Sequence, residues 1–529
     1  MTSTNYKFPH IAISLIVLIL IVFLKIPFIS ELGDLLWAED ANVFINDIFS
    51  YGYKSLIKPY ASYIHLYPRI WSLTLLFTEL NNAPIYFLAG WIMAVIFTGI
   101  LLVSVMQSLG FRFYEALFLA SLIFLQPSSG EVYFTITNAQ WFLGFALGVW
   151  FLMRKGKQDT FAEAFLVALM CLTGPFGVLL TPVLLLKFYF FNNMRPNKYL
   201  VIIYLLCIFI QIFFIATTNR PSLPIDLNLA NWVKAISTFI SLGMHGWFKL
   251  LALAFWTFLF FLVIKSTQFK VMTKKQESAF MLMCYGFIVY AAGLYACKNA
   301  PHIISPIGGG SRYFWIPYAT LFTAAILLSR NKLDKYLVYG LVLLICLIGL
   351  KDGQVGRLRT DFNANVVFNG INKNDIAVNP FWEAYPNTWK INAEKLKQFG
   401  TNYKVYEIKK KDISNWNGQL ENIEGGFSIQ EPKSDPNFVF KVNQECNNFK
   451  YIALAVELSR EAPGYSQFFW ASHKKDNFTE INSRTRFIGS SRNQIVFAIN
   501  KPFDITSVRF DPSDDNLKQF IHKVELYCY

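Results

Sequence analysis

What most restricts the fold of this chain is a series of long apolar runs recurring through its first two thirds. The first is Ile11 to Ile29, IAISLIVLILIVFLKIPFI, and others cover roughly 83–107, 113–127, 137–153, 161–175, 176–191, 199–217, 246–265, 279–297, 313–329 and 336–350. A hydrocarbon layer about 30 Å thick takes about 20 apolar residues of helix to cross. Inside it, backbone polar groups must be satisfied within the segment itself or by closing a barrel. The pattern predicts an α-helical polytopic membrane protein with about 11 transmembrane helices. The first run lacks the small-residue cleavage site of a signal peptide, so an uncleaved helix is expected there. With 54% of residues apolar and 16% charged, an ordinary soluble domain is excluded.

The formal charge of +14 invites a nucleic-acid reading, which its distribution removes. Residues 1–351 hold 25 Lys and Arg against 13 Asp and Glu, whereas residues 352–529 hold 23 against 21. The excess therefore lies in the short loops of the apolar half, as the positive-inside rule requires. Arg154 to Lys157, Arg195 to Lys198, Lys265 to Lys275 and Arg330 to Lys335 alternate with loops poorer in cations, so the basic set is expected on the cytoplasmic side with the amino terminus. That parity puts the loop 30–82, the connections Thr217 to His245 and Lys298 to Arg312, and everything after Lys351 on the outer side. Leu66 to Leu80 is short for a span, and a crossing there would move every later basic loop outside. It is expected to form an amphipathic interfacial helix.

The tail is different material. Phe438 to Val442, Tyr451 to Leu458, Gln494 to Ile499 and Ile505 to Phe510 alternate apolar and polar residues between Pro, Gly, Asn and Asp, which predicts strands of a β-rich domain, a sandwich or jelly roll. Phe381 to Phe399 is expected to be helical. Two domains follow: 1–351, transmembrane, with its first outer loop 30–82, and 352–529, soluble, a helical linker and then a β-sandwich. Five of the seven cysteines lie in apolar runs and read as buried hydrophobes. Cys446 and Cys528 lie in the tail, where an oxidising compartment permits a bond that sequence leaves open.

The residues with chemistry cluster at the outer ends of the runs. Glu39 and Asp40 come first: acids at a helix start suit its dipole, but a carboxylate at the membrane–water boundary is also the usual general base for a hydroxyl acceptor. Adjacent helical residues point about 100° apart, so one of the two is expected to face a site, Asp40 before Glu39. Lys58, Tyr60, His65 and Arg69 form a second group, explained either by headgroup contact or by neutralising a phosphate. Gly308-Gly309-Gly310-Ser311-Arg312-Tyr313 is either a hinge with an interfacial anchor or a loop whose amides approach phosphate while Arg312 pairs with its oxygens. Asn138, Gln140 and Trp141, with Glu131 just before them, either cap a helix or bind sugar hydroxyls, the indole stacking on a ring. His245 and His302 fall on the same side, and no metal-ligand spacing is evident. Tyr465, Phe468, Phe469 and Trp470 read as strand core before they read as a glycan surface. Asn477-Phe478-Thr479 matches a glycosylation sequon, a triplet common by chance.

An acidic pair in the first outer loop, an amphipathic segment after it, about ten further helices, a Gly-Ser-Arg-Tyr-Phe run entering a late helix and an outer carboxy-terminal domain together resemble the GT-C class of polytopic glycosyltransferases. Within that class, layout and size are similar to bacterial and phage serotype-converting glucosyltransferases that decorate O-antigen lipopolysaccharide. The resemblance implies a polyprenyl-phosphate-linked sugar donor, a lipid-linked or polymeric glycan acceptor, and transfer with inversion on the periplasmic face of a bacterial inner membrane. Asp40 or Glu39 would be the catalytic base. Arg312, Lys58, Arg69 and His302 would hold the donor phosphate, and Tyr60, His65, Asn138, Gln140 and Trp141 the substrate. Some relatives use a divalent cation and others do not; no ligand set is evident here, so no cofactor is expected.

Three other classes compete. A transporter or flippase of lipid-linked sugars would carry paired half-repeats and intramembrane charges, and no repeat is evident. An O-antigen polymerase or ligase would rely on arginines and histidine in large loops without an acidic pair after the first helix. A noncatalytic receptor would leave the Asp40 loop without a purpose.

Overall fold

The computed structural model describes residues 8–25, 36–128, 131–154, 161–191, 198–218, 224–268, 272–352, 361–372, 375–378, 389–392, 403–416, 419–423, 426–430, 437–471, 478–479, 482–488, 491–501, 504–512 and 519–529. The chain divides into two compact units. One comprises Met1–Ile29, Tyr53–Leu73 and Tyr86–Gly356; the other comprises Ser30–Gly52, Thr74–Ile85 and Arg357–Tyr529. The division near residue 356 lies close to the expected boundary after 351. The 30–82 loop, however, is shared out between the units instead of belonging whole to the membrane half.

In the first unit each apolar run coincides with a helix. These are α1 (Phe8–Phe23), α4 (Ala83–Ser108), α5 (Phe113–Leu125), α6 (Ala139–Met153), α7 (Phe161–Cys171), α8 (Phe176–Phe190), α9 (Lys198–Thr217), α11 (Lys249–Thr267), α12 (Lys274–Ala296), α13 (Arg312–Leu328) and α14 (Lys332–Asp352). Among the described residues, five segments are long and apolar enough to cross a membrane: Leu80–Ser108, Tyr199–Thr217, Gly246–Thr267, Lys274–Ala296 and Lys332–Lys351. The other apolar helices run 10–17 residues, below the full length a straight crossing takes. A further helix, α10 (Leu229–Ile240), lies in the Thr217 to His245 connection. Leu66 to Leu80 is not one amphipathic helix: α3 (Leu66–Ser72) passes into a 3-10 turn over Leu73–Leu76.

Burial separates the helices by role. Every residue of α6 except Phe151 is buried, and so is every residue of α13 from Phe314 to Leu328. Tyr285 of α12 donates its hydroxyl to the Gly144 carbonyl of α6 at 2.9 Å, and Phe142 of α6 packs against Trp315 of α13 at 4.4 Å between ring centroids. At the other end of α6, Lys187 of α8 donates its ammonium to the carbonyls of Phe151 and Leu152, each at 3.0 Å. That places a cation on the carbonyl-bearing, negative end of the helix.

The second unit is a β-sandwich. One sheet runs β10 (Ser483–Ile488), β9 (Gly464–Ala471), β12 (Ser507–Asp511), β7 (Phe438–Lys441) and β4 (Ile413–Trp416). The other runs β11 (Ser491–Asn500), β8 (Tyr451–Arg460), β13 (Gln519–Cys528), β6 (Gly426–Gln430) and β5 (Gln419–Ile423), with β3 (Lys404–Glu407) also on β13. All pairings are antiparallel. Leu454, Val456 and Leu458 of β8 point inward against Phe468, Trp470, Phe497 and Phe510. Ala453 and Ala455, one step out of phase, face α15 (Phe362–Asn372), whose Val367 and Phe368 cover them. Phe468 and Trp470 are therefore core, Phe469 is buried on the opposite face of the same strand under the Arg509 guanidinium, and of that aromatic group only Tyr465, 45% exposed, meets solvent. Cys446 and Cys528 form a disulfide.

Phe381 to Phe399 departs from its expected helix where it is described. Lys390–Ile391 is a strand, β2, paired with β1 (Ile376–Ala377), while residues 381–388 and 393–399 of that stretch and Asn477 lie outside the described residues. Asn46, which opens α2 (Asn46–Tyr51), donates its amide to the Lys390 carbonyl at 2.9 Å and accepts from the Asn392 N–H at 3.0 Å. One side chain thus pairs with a strand backbone as another strand would.

Candidate functional site

In the second unit, the acidic pair sits at the entry to a helical segment. Ala38 takes φ +37°, an uncommon conformation for a residue with a β-carbon, and a π-helical turn over Asp40–Ile45 leads straight into α2. The Asp40 N–H donates to the Trp37 carbonyl at 2.7 Å, and the Trp37 N–H donates back to Asp40 Oδ2 at 3.2 Å. Asp40 is 1% exposed. Glu39 is buried beside it. Asp47, which no sequence signal singles out, is buried in the same segment.

In the first unit, Tyr60 and Tyr63 exchange backbone hydrogen bonds at 3.0 and 3.2 Å around Ala61 and Ser62, both at positive φ, making a tight hairpin. The His65 ring lies 5.6 Å from Tyr60 and 4.7 Å from Tyr63. His65 is 1% exposed and Arg69 0%, so neither lies at a headgroup surface. Burial, and after it the Arg69 charge, push the His65 imidazole down to about 3. Lys58, by contrast, is only half-buried.

The hairpin is seated by an amide hidden in an apolar run. Gln211 of α9 accepts from the Ile64 N–H at 2.9 Å and donates to the carbonyls of Ile64, Cys171 and Gly174 at 3.2, 3.2 and 3.1 Å. The Tyr67 N–H donates to Thr173 Oγ1 at 3.1 Å. Gln140 reaches the same place: a β-carbon at Gly174, φ +88°, would stand 2.6 Å from its Oε1. Sequence reasoning passed over Gln211 and Thr173; a lone glutamine within α9 was the available signal.

A second grouping joins the ends of α6 and α13. Arg312 Nη1 stands 3.2 Å from Glu131 Oε2. The Glu131 N–H donates to Ser311 Oγ at 3.1 Å, and its carbonyl accepts from Asn138 Nδ2 at 2.6 Å. Trp141 lies edge-on to both Phe176 and Tyr313, at 4.9 and 5.6 Å. Asn138 precedes α6 without capping it through its side chain. The glycine run is largely committed to turns: the N–H groups of Gly308, Ser311 and Tyr313 donate to the carbonyls of Ser305, Gly308 and Gly310. Gly310 takes φ +71° with Ile304 close by, so this position needs a glycine for its own backbone.

His302 is turned elsewhere, with Nδ1 4.0 Å from Asp226 Oδ2. Hydrogen bonds from the Asn228 N–H and the Asn231 side chain hold the Asp226 carboxyl below its usual range. Among the described residues, no group of three or more His, Cys, Asp or Glu is placed to hold a metal ion.

No protein-family model and no curated protein matches this sequence. Among solved structures, a family 29 carbohydrate-binding module from Piromyces equi is similar over 24% of this chain and 91% of its own length, at 9% identity and a TM-score of 0.19. The xylan-binding module CBM86 from Roseburia intestinalis matches 24% of this chain and 96% of its own length, at 13% identity and a TM-score of 0.19. A module of Clostridium stercorarium determined with cellobiose matches 23% and 90%, at 11% identity and a TM-score of 0.18. Likenesses this distant carry no argument about what the chain does.

Proposed function

We propose that this chain is an integral membrane glycosyltransferase that moves a sugar, glucose by its resemblance, from a polyprenyl-phosphate donor to a periplasmic glycan such as O-antigen. The observation that carries the reading is the acidic pair: two adjacent carboxylates buried at the entry to a helical segment, with Asp40 gripped by the Trp37 backbone, in a chain with five membrane-length helices. Taking a carboxylate out of water costs free energy that hydrogen bonds and neighbouring charge must offset, and functional sites are where such groups concentrate.

In this mechanism Asp40, or Glu39, takes the proton of the acceptor hydroxyl as its oxygen attacks the anomeric carbon. The sugar–phosphate C–O bond breaks on the opposite face, inverting the centre, and the electron pair leaves with the lipid phosphate. The resemblance assigns Arg312, with Lys58 or Arg69, to offset the charge that develops there; His302, turned to Asp226, is left out. The resemblance assigns the sugar to Tyr60, His65, Asn138, Gln140 and Trp141.

The test compares linkage and composition of the surface polysaccharide from cells carrying the intact chain or Asp40→Asn at matched membrane abundance, with a lipid-linked donor supplied. A sugar branch that needs the intact chain supports the reading. If the branch survives Asp40→Asn and is lost in Glu39→Gln, the base is Glu39. No glycan change with any version removes the transferase and puts a lipid-linked-sugar transporter in its place.

A further inference from the structure

The connection between α9 and α11 carries α10, a helix with three distinct faces. Leu229, Val233, Ile236 and Ile240 recur at helical spacing and make one exposed apolar stripe. Ala235 and Phe239 are buried, and Lys234 and Thr238 form a polar strip. At about 100° per residue the three faces stand roughly a third of a turn apart.

The buried face fixes how deep the helix lies. Phe239 stacks on Tyr290 of α12 at 4.2 Å between ring centroids, and its carbonyl accepts from the Tyr318 hydroxyl of α13 at 3.1 Å. The Tyr290 hydroxyl donates to the Ala235 carbonyl at 2.9 Å, and Trp256 Nε1 of α11 donates to the Ile240 carbonyl at 2.8 Å. Tyr290, Tyr318 and Trp256 each lie nearly two turns inside the end of their helix, roughly 10 Å along its axis. The amino end of α10 stays at loop level. There the Asp226 N–H donates to the Lys298 carbonyl, beyond the end of α12, at 2.8 Å, and Trp232 Nε1 donates to the Asp226 carbonyl at 2.7 Å. α10 therefore slopes from the loops to a level below the ends of α11 and α12, both of membrane length.

We propose that α10 is a half-immersed helix and that acyl chains of the adjoining leaflet cover its stripe of Leu229, Val233, Ile236 and Ile240. Exposed Trp247 and Lys249, where α11 begins, suit the headgroup level, and the carboxyl half of α10 is held below that level, where hydrocarbon is the surrounding medium. α11, joined to α10 through Trp256, exposes Leu250 and Leu253 of its own, so lipid already reaches the neighbouring surface. Lys234, on the polar strip, is left to headgroups and water. The surface role expected of Leu66 to Leu80 falls to α10 instead, since Tyr67, Arg69 and Ser72 of that stretch are buried.

The test uses the full-length chain in phosphatidylcholine nanodiscs, with the photoreactive residue benzoylphenylalanine replacing Val233, Ile236, Lys234 or, on α11, Leu253, one at a time. Unfolding temperatures that match the intact chain show that each substituted chain is folded. After irradiation, mass spectrometry of the intact chain reads a covalent phospholipid as added mass. Lipid adducts should form at Val233, Ile236 and Leu253, with the adduct lost at Lys234. Crosslinks to a second copy at Val233 and Ile236, in place of lipid, would make the stripe a subunit contact and overturn the proposal. Adducts at Leu253 with none at Val233 or Ile236 would overturn it as well, because lipid would then reach α11 alone. Equal adducts at Lys234 and Val233 would leave α10 without a polar side and overturn it too.

Discussion

Arg312 Nη1 and Glu131 Oε2 stand 3.2 Å apart, and the pair is fixed at both ends of its backbone: Ser311 holds the Glu131 N–H, and Asn138 holds its carbonyl. A guanidinium paired with a carboxylate steadied in this way is presented in one orientation. Arg312→Gln leaves a largely buried carboxylate without its cation and is expected to cost about 1–3 kcal/mol of stability. A double-mutant cycle with Glu131→Gln, followed by thermal unfolding, should show the two losses to be less than additive; additive losses would mean the pair contributes nothing.

Asp40→Asn should lower the rate of sugar transfer about 10²–10⁴-fold, the usual contribution of a general base, with membrane abundance unchanged. Single-turnover measurement with a supplied donor distinguishes this from weakened substrate binding, which would raise KM and leave kcat alone.

His65 makes the fold sensitive to acid. Its folded-state imidazole is lowered to about 3 from the ordinary 6.5, by burial first and Arg69 second. Between those values the unfolded chain takes up a proton that the folded chain refuses, so stability falls as pH drops below about 6.5 and levels off near 3. Above that window both states are neutral and the group adds no slope. His65→Gln should flatten the dependence of unfolding temperature on pH between these limits; an unchanged slope would place the acid sensitivity elsewhere.

The bond between Cys446 and Cys528 closes a long loop, the two being separated by 82 residues. Replacing both with Ser should remove about 2–5 kcal/mol from the β-sandwich. A reducing agent added to the intact chain should lower the same unfolding transition and leave the Ser variant unmoved.

How much of this was legible depended on how local each determinant is. The apolar runs fell on helices because a window of twenty residues contains its own signal, and the tail strands fell into place by alternation, with Leu454 and Ala453 on opposite faces. The role of Asn46 was not legible, since its partners Lys390 and Asn392 are more than 340 residues away and nothing near an asparagine announces a strand. Gln211 was hidden for a different reason: averaged hydropathy erases a single amide, and the hydrogen-bond needs of a loop elsewhere decide its position. Asn138 was misread as a possible cap because caps are local, whereas its real partner, Glu131, lies across a turn.

The burial of α6 and α13, both shorter than a full crossing, has a consequence for the lipid the chain can live in. A helix of 15 residues rises only about 22 Å, against about 30 Å of hydrocarbon. For α6 and α13 that mismatch is immaterial, because protein surrounds α6 at every residue but Phe151 and α13 from Phe314 to Leu328. Bilayer thickness is felt instead by helices such as α9 and α11, whose apolar windows are only 28% and 22% buried and which can tilt to suit. Asn138, Trp141 and Arg312 ride on the insulated pair. Their spacing should be the same in a thin membrane as in a thick one.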